Sequence, residues 1–211
     1  PWTNENFDAS KNKFTFAIFS DLAGGEREGI FQVAVEQLNL LRPEFVINVG
    51  DLIDDTRYRS NTNKKWDSFN SMASKIEAPI FYVGGNNDLS NKIMKEEWKR
   101  KYGTTYYHFI YKDVLFLIMD TEDYLKEPVN PFSLTREALV SGDIREEQKD
   151  YFLDVIKNNQ DVVWTFIFLH KPIWLKSEEP EFTEIEEALV DRPFTLFNGH
   201  LHTYSHTKRN N

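Results

Sequence analysis

Five apolar runs in this sequence end in side chains able to hold a cation. The run at 14–19 leads to Asp21, and the run from Phe45 ends in Gly50-Asp51-Leu52-Ile53-Asp54. The run at 79–83 leads to Asn86, the run at 162–169 to His170, and the run at 194–197 to His200 and His202. Carboxylate and amide oxygens mixed with imidazole nitrogens suit Mn, Fe, Zn or Ni. Such ions polarise substrates and acidify bound water. His200 and His202 stand two apart, and the pair could serve two different centres. Singly, each feature has an ordinary alternative. Asp21 suits a helix N-cap, Asp54 and Asp55 a solvated loop, Gly84-Gly85-Asn86 a turn, and His170 a satisfied core histidine. The repetition after five separate runs is what favours a cation site.

The elements that must carry these residues follow from the hydrophobic pattern. Short apolar runs bounded by Gly suit buried parallel strands, whose carboxyl ends form the ligand-binding rim of open α/β sheets. A helix is predicted over 28–41, with Ile30, Phe31, Ala34, Val35, Leu38 and Leu41 at helical spacing and Pro43 beyond it. With the strands on either side it makes a βαβ unit. Residues 57–63 read as a polar surface loop, and Trp66, Phe69, Met72, Ala73 and Ile76 mark a second helix. A charged helix follows near 91–101. Residues 105–110 and 114–119 read as an antiparallel pair. A long polar insertion at 121–142 precedes a helix at 144–156, and another helix is predicted near 183–189. Trp174, just after His170-Lys171-Pro172, is the aromatic best placed to line a site, and His108 reads as structural.

Composition narrows the class. The 211 residues are 40% hydrophobic and 15% aromatic, enough for one sizeable core. A lead-in at 1–13 and one domain at 14–211 are expected. With 25 basic against 34 acidic residues the net charge is −9, so no nucleic-acid-binding surface is expected. That excess does not exclude an anionic substrate, because bound cations reverse the field locally. No cysteine is present, which excludes disulfides and thiolate zinc sites. The apolar runs are too short to span a bilayer. The chain starts at Pro1 with a polar stretch, which suits a trimmed chain or a mature one whose export signal is gone; a periplasmic or extracellular location is favoured over a cytoplasmic one.

In order and wording, these blocks resemble the calcineurin-like metallophosphoesterase family, from Asp21 to His202. The family pattern is Asp-x-His, Gly-Asp-x-x-Asp, Gly-Asn-His-Asp/Glu, a lone His, and Gly-His-x-His. The chain reads Asp21-Leu22-Ala23, Gly50-Asp51-Leu52-Ile53-Asp54, Gly85-Asn86-Asn87-Asp88, His170, and Gly199-His200-Leu201-His202. The resemblance implies a four-layer α/β/β/α sandwich with mixed β-sheets. The family pattern continues with further strands after its last motif, so a second sheet shortened at the C-terminus is expected.

The resemblance also implies two divalent or trivalent ions bridged by Asp51. Asn86, His170 and His200 would complete one centre, and Asp21 and His202 would hold the other. Ala23 replaces a ligating histidine of the second centre. The purple acid phosphatase branch also lacks that histidine and uses a tyrosine three residues after the bridging aspartate; here that position is Asp54, which is expected to fill the gap. Asn87 stands where the family's substrate-contacting histidine does, and Asp88 completes that block, so both are carried over as catalytic positions. An amide donates hydrogen bonds but shuttles no proton near neutrality. The implied function is hydrolysis of a small phosphomonoester or phosphodiester by a metal-activated hydroxide. The alternatives are a metal-binding but catalytically impaired relative and a non-enzymatic interaction domain. Imidazole ligands must be neutral to bind metal, so affinity is expected to fall in acid.

Overall fold

The computed structural model describes residues 13–24, 27–55, 58–123, 142–176 and 179–208. The expected lead-in, apart from Lys13, and most of the expected 121–142 insertion lie outside the described residues. Strand β1 (Phe16–Phe19), helix α1 (Ile30–Leu41), strand β2 (Phe45–Asn48), helix α2 (Arg59–Ala73) and the two-residue strand β3 (Ile80–Phe81) come first. Helix α3 (Lys92–Tyr102) leads to strands β4 (Tyr107–Tyr111) and β5 (Val114–Ile118). Helix α4 (Glu146–Asn158), strand β6 (Trp164–Leu169), a 3₁₀ turn (Ile173–Leu175), helix α5 (Pro180–Ala188) and strand β7 (Phe194–Asn198) follow.

The strands form two sheets, ordered β1-β2-β3 and β4-β5-β6-β7. The first is wholly parallel. In the second, β4 and β5 run antiparallel, as expected, while β5, β6 and β7 are parallel. Registers such as Phe19↔Asn48 and Leu169↔Asn198 bring the strand ends level. A parallel sheet puts every carboxyl end on one edge, so the loops after β1, β2 and β3 emerge together, as do those after β5, β6 and β7.

Period-two alternation sorts each strand's side chains into layers. Phe45 and Ile47 of β2 face Phe116 and Phe168 of the opposite sheet, whereas Val46 faces the helices. Leu115 and Leu117 of β5 and Ile167 and Leu169 of β6 pack with Phe152, Phe182 and Ile185 beneath α4 and α5. The result is α/β/β/α, as the resemblance implies. The layer between the sheets is rich in rings: Phe45 and Phe116 lie edge to face at 5.4 Å, and Phe109 and Phe116 stack at 4.6 Å. Each fully buried ring contributes about 1.5–3 kcal/mol, which locks the two sheets together and fixes the relative position of their carboxyl edges.

One element differs from the sequence reading. Helix α2 begins at Arg59, inside the stretch read as a surface loop at 57–63. Its first two turns are largely polar and bury Thr62, so they show no apolar stripe until Trp66. Trp174, the candidate site aromatic, instead packs toward Phe182 in the layer beneath the helices, ring centres 6.3 Å apart. His108 bonds the Tyr151 hydroxyl at 2.7 Å, consistent with a structural role.

Candidate metal centre

Asp51, His170 and His200 converge at the shared rim, with one ligand atom from each lying within 4.8 Å of the others. Asp51 follows β2, while His170 and His200 follow β6 and β7, so the group joins both sheets. Asn86, beyond β3, brings its Oδ1 to 3.1 Å from His170 Nε2. His170 Nε2 is also 3.4 Å from Asp51 Oδ2. The His170 and His200 rings meet edge to face at 5.1 Å.

Local backbone chemistry makes this convergence possible. Asn48 Oδ1 accepts the Gly50 N–H at 3.0 Å, closing a tight turn after β2. Gly50 has φ +100, and a Cβ there would stand 2.3 Å from His170 Nδ1. A Cβ on Gly85 would meet the Asp51 N and Oδ1, each at 2.3 Å. Glycine is therefore required at both positions for the loops to approach. Asp21, Asp51, His200 and His202 all adopt the left-handed region, with φ of 55, 55, 72 and 50. Such backbone costs about 1–3 kcal/mol at a non-glycine residue and collects at functional sites.

His170 is fully buried, and its Nδ1 lies 2.8 Å from the Val49 carbonyl oxygen. A carbonyl only accepts, so Nδ1 carries the proton and Nε2 is turned to the cluster. Burial pulls the His170 pKa down. The hydrogen bond and charge of Asp51 outweigh it, with help from Val49, and hold the ring up at about 9. Burial raises the Asp51 carboxyl, but His170 and then Asn87 bring it below the ordinary value. Within the protein alone, a proton on His170 balances Asp51. A cation placed there would displace that proton. Two imidazole nitrogens, a carboxylate and an amide oxygen on glycine-cleared loops fit such an ion.

The remaining candidates sit around this group. Asp21 Oδ1 is 3.3 Å from His202 Nε2 and accepts the His200 N–H at 2.9 Å. Among the described residues, no equally tight group of acids and histidines contains Asp21 and His202. Ala23 is buried and offers no donor atom beyond its backbone. Asp54, expected to fill that gap, turns its oxygens elsewhere. Oδ1 accepts the Gly24 N–H at 2.9 Å, and Oδ2 pairs with Lys65 of α2 at 2.8 Å. The Lys65 hydrogen bond, then that from Gly24, holds the Asp54 carboxyl below its ordinary value. Asn87 faces Asp51: its N–H donates to Oδ1 at 2.8 Å and its Nδ2 to Oδ2 at 2.7 Å.

Asp88 points away from the rim and is completely buried. Its Oδ1 accepts the N–H groups of Leu52 and Ile53, at 2.9 and 3.2 Å, and its Oδ2 accepts that of Gly85 at 2.9 Å. It clasps the Asp51 loop to the Asn86 loop, a positioning task rather than contact with reacting atoms.

Behind His170 lies an ionic layer that the motif pattern does not reveal. Lys171, the next residue, pairs with Glu122 at 2.9 Å, and its N–H donates to Thr121 Oγ1 at 3.1 Å. Gln148 of α4 brackets the Asp120 backbone with two 2.9 Å bonds, and Arg145 holds Asp123 at 2.7 Å. The signal was present, because β5 also ends in acids, at Asp120, Glu122 and Asp123.

A family model described as calcineurin-like phosphoesterase matches residues 14–204. Among curated proteins, the serine/threonine-protein phosphatase CPPED1 of Mus musculus is 24% identical over 223 residues, covering 95% of this chain and 64% of that protein. The Homo sapiens protein of the same name is 24% identical over 191 residues, covering 80% of this chain and 57% of its own length. The chain thus spans less than two thirds of these relatives. A solved dimetal phosphatase from Danio rerio superposes with a TM-score of 0.66 at 17% identity, covering 90% of this chain and 82% of that one, a likeness of fold.

Proposed function

This chain belongs to the calcineurin-like phosphoesterase family, and on that premise we propose that it is a metal-dependent phosphoesterase acting at the rim where Asp51, Asn86, His170 and His200 meet. The observation that carries the reading is the convergence of Asp51, His170 and His200 ligand atoms within 4.8 Å, from loops of both sheets. Those residues with Asn86 would hold one ion, and Asp21 and His202, 3.3 Å apart, would contribute to a second. A cation so held supplies Lewis acidity to a phosphoryl oxygen and acidifies water toward neutral pKa. The protein's own part is positional: Val49 orients His170, Asp88 fixes the two loops, and Asn87 donates a hydrogen bond. Because an amide gives up no proton near neutrality, the proposed substrates are esters whose leaving group departs without strong general-acid help. The curated relatives are named serine/threonine-protein phosphatases, which makes a phosphorylated hydroxyl side chain a suitable first substrate to offer. The test is hydrolysis of an aryl phosphate and of a phosphoserine peptide with Mn²⁺, against an Asp51→Asn control. Turnover lost in the control supports the reading, and turnover equal in both proteins contradicts it.

A second reading is favoured by Ala23 and Asn87, which leave the second centre and the proton donor incomplete. It is a protein that binds the cation and phosphate but turns substrate over poorly. Tight metal binding without hydrolysis of either ester supports it.

A further inference from the structure

We infer that Lys171 and Glu122 are positioning residues of the cation site, and that their buried ion pair sets His170 against the Asn86 loop rather than adding to the net stability of the fold. The inference rests on the metal-dependent reading above and concerns two residues that reading leaves aside. The peptide unit between His170 and Lys171 is held from both sides. Its carbonyl accepts the Gly199 N–H at 3.2 Å, from the loop that carries His200. Its N–H donates to Thr121 Oγ1 at 3.1 Å, from the loop that ends β5. The Lys171 side chain then runs to Glu122, with Nζ 2.9 Å from Oε1 and 3.0 Å from Oε2, and both side chains are buried. The Glu122 carbonyl in turn accepts Lys95 Nζ of α3 at 2.7 Å. Helix α3 follows the Asn86 loop closely: Asn91 caps it, and the Lys95 N–H donates to the Asn91 carbonyl at 2.9 Å. Glu122 therefore joins the His170 turn to the helix after Asn86, and these two ligands meet at 3.1 Å, His170 Nε2 to Asn86 Oδ1.

Two buried charges lose their hydration, and their mutual attraction does little more than repay that loss. A buried ion pair therefore adds little net stability over a neutral pair of similar shape. Its charge-assisted bonds are strong only in a narrow geometry, so they restrain the backbone that carries them. The backbone restrained here belongs to the residue next to a ligand. Outer partners that hold metal ligands in place are worth about 10–100-fold in affinity. Charge alone predicts a different pattern. Lys171 repels an ion at the rim and Glu122 attracts it. On Coulombic grounds, removing the lysine tightens binding and removing the glutamate weakens it. A positioning pair predicts weaker binding in both cases.

The experiment is a calorimetric Mn²⁺ titration of the full chain, paired with thermal unfolding of the metal-free protein. It compares the wild type with Lys171→Met, Glu122→Gln and the double variant. Each single variant strands a buried charge and should lower Tm by about 10 °C. Each should also weaken Mn²⁺ binding about 10- to 100-fold. The double variant removes both charges and leaves the net charge unaltered. Its Tm should return close to that of the wild type, while its affinity stays at least about tenfold weaker. Thr121→Val keeps the side-chain shape and removes only the acceptor of the Lys171 N–H, so it tests the same hold if a single variant does not fold. It too should weaken binding, and unchanged affinity there would count against the inference. Opposite changes in the two single variants would make the effect one of charge. Affinity that recovers with Tm in the double variant would make the pair merely structural. Either result overturns the inference and leaves the phosphoesterase reading intact, whereas no Mn²⁺ binding by the wild type would overturn both.

Discussion

The Nδ1 of His170 lies 2.8 Å from the carbonyl oxygen of Val49, a bond that joins residues 121 apart in sequence. It ties the end of β6 to the end of β2 and turns Nε2 toward Asn86 and Asp51. Everything at the rim depends on that approach, and Gly50, next to Val49, is what permits it. Gly50→Ala would place a Cβ 2.3 Å from His170 Nδ1 at a φ of +100. The substitution is expected to destabilise the fold by about 2–4 kcal/mol and to weaken Mn²⁺ binding. Gly103→Ala is the control, because Gly103 also has positive φ but its Cβ would meet nothing within 4 Å. Chemical denaturation and a metal titration on both variants separate displacement of His170 from backbone strain alone.

Asp88 is expected to matter through the backbone it holds. Removing its carboxylate leaves the N–H groups of Leu52, Ile53 and Gly85 without their acceptor. At about 1–3 kcal/mol for each buried unsatisfied group, Asp88→Ala should cost roughly 3 kcal/mol or more. For a chain of this size that lowers Tm by about 10 °C. Asp88→Asn keeps a carbonyl for Leu52 and Ile53 but sets an NH₂ against the Gly85 N–H, so an intermediate loss is expected. Equal stability of Asp88→Ala and the wild type would contradict the clasp.

The acid layer behind the site makes a pH-dependent contribution. Burial pushes the Asp120 carboxyl up to about 6, against hydrogen bonds from Thr105 and Glu122, with the charges of Glu122 and Asp123 adding to the rise. The folded state therefore holds this proton more tightly than the unfolded chain. Asp120 costs no stability well below pH 4, and its penalty grows as pH rises from about 4 to about 6 and is complete above that. Asp120→Asn should gain about 1–3 kcal/mol at pH 8 and little at pH 4. Unfolding curves at the two pH values test this, and an equal effect at both would refute it.

Asn87 occupies the place of a general acid without being one. Asn87→His is expected to raise turnover of a simple aryl phosphodiester with Mn²⁺ by up to about 10²-fold. No gain, with metal binding intact, would show that proton supply does not limit this site.

Much of the fold was legible because the β-strand period of two and the helix period of 3.6 were both written clearly. The runs ending at Asp21, Asp51, Asn86, His170 and His200 all prove to precede the shared rim. Helix α2 was legible only from Trp66, because its first two turns expose polar residues and bury Thr62. The roles of Asp54 and Asp88 were not legible. An acid after a strand looks the same in sequence whether it meets a cation, a lysine or three backbone N–H groups. Only the fold sets Lys65 of α2 beside Asp54, and Leu52, Ile53 and Gly85 around Asp88. The Asp120 layer is hidden in the sequence because its acids lead into the long polar stretch, where charge is ordinarily solvated.

The most direct measurement is anomalous diffraction at the manganese edge from crystals grown with Mn²⁺. A peak bounded by Asp51 Oδ2, Asn86 Oδ1, His170 Nε2 and the His200 ring is the expected result, and it should vanish in His200→Ala. No peak at that rim, or manganese bound elsewhere with these four side chains left bonded to one another, would contradict the metal centre.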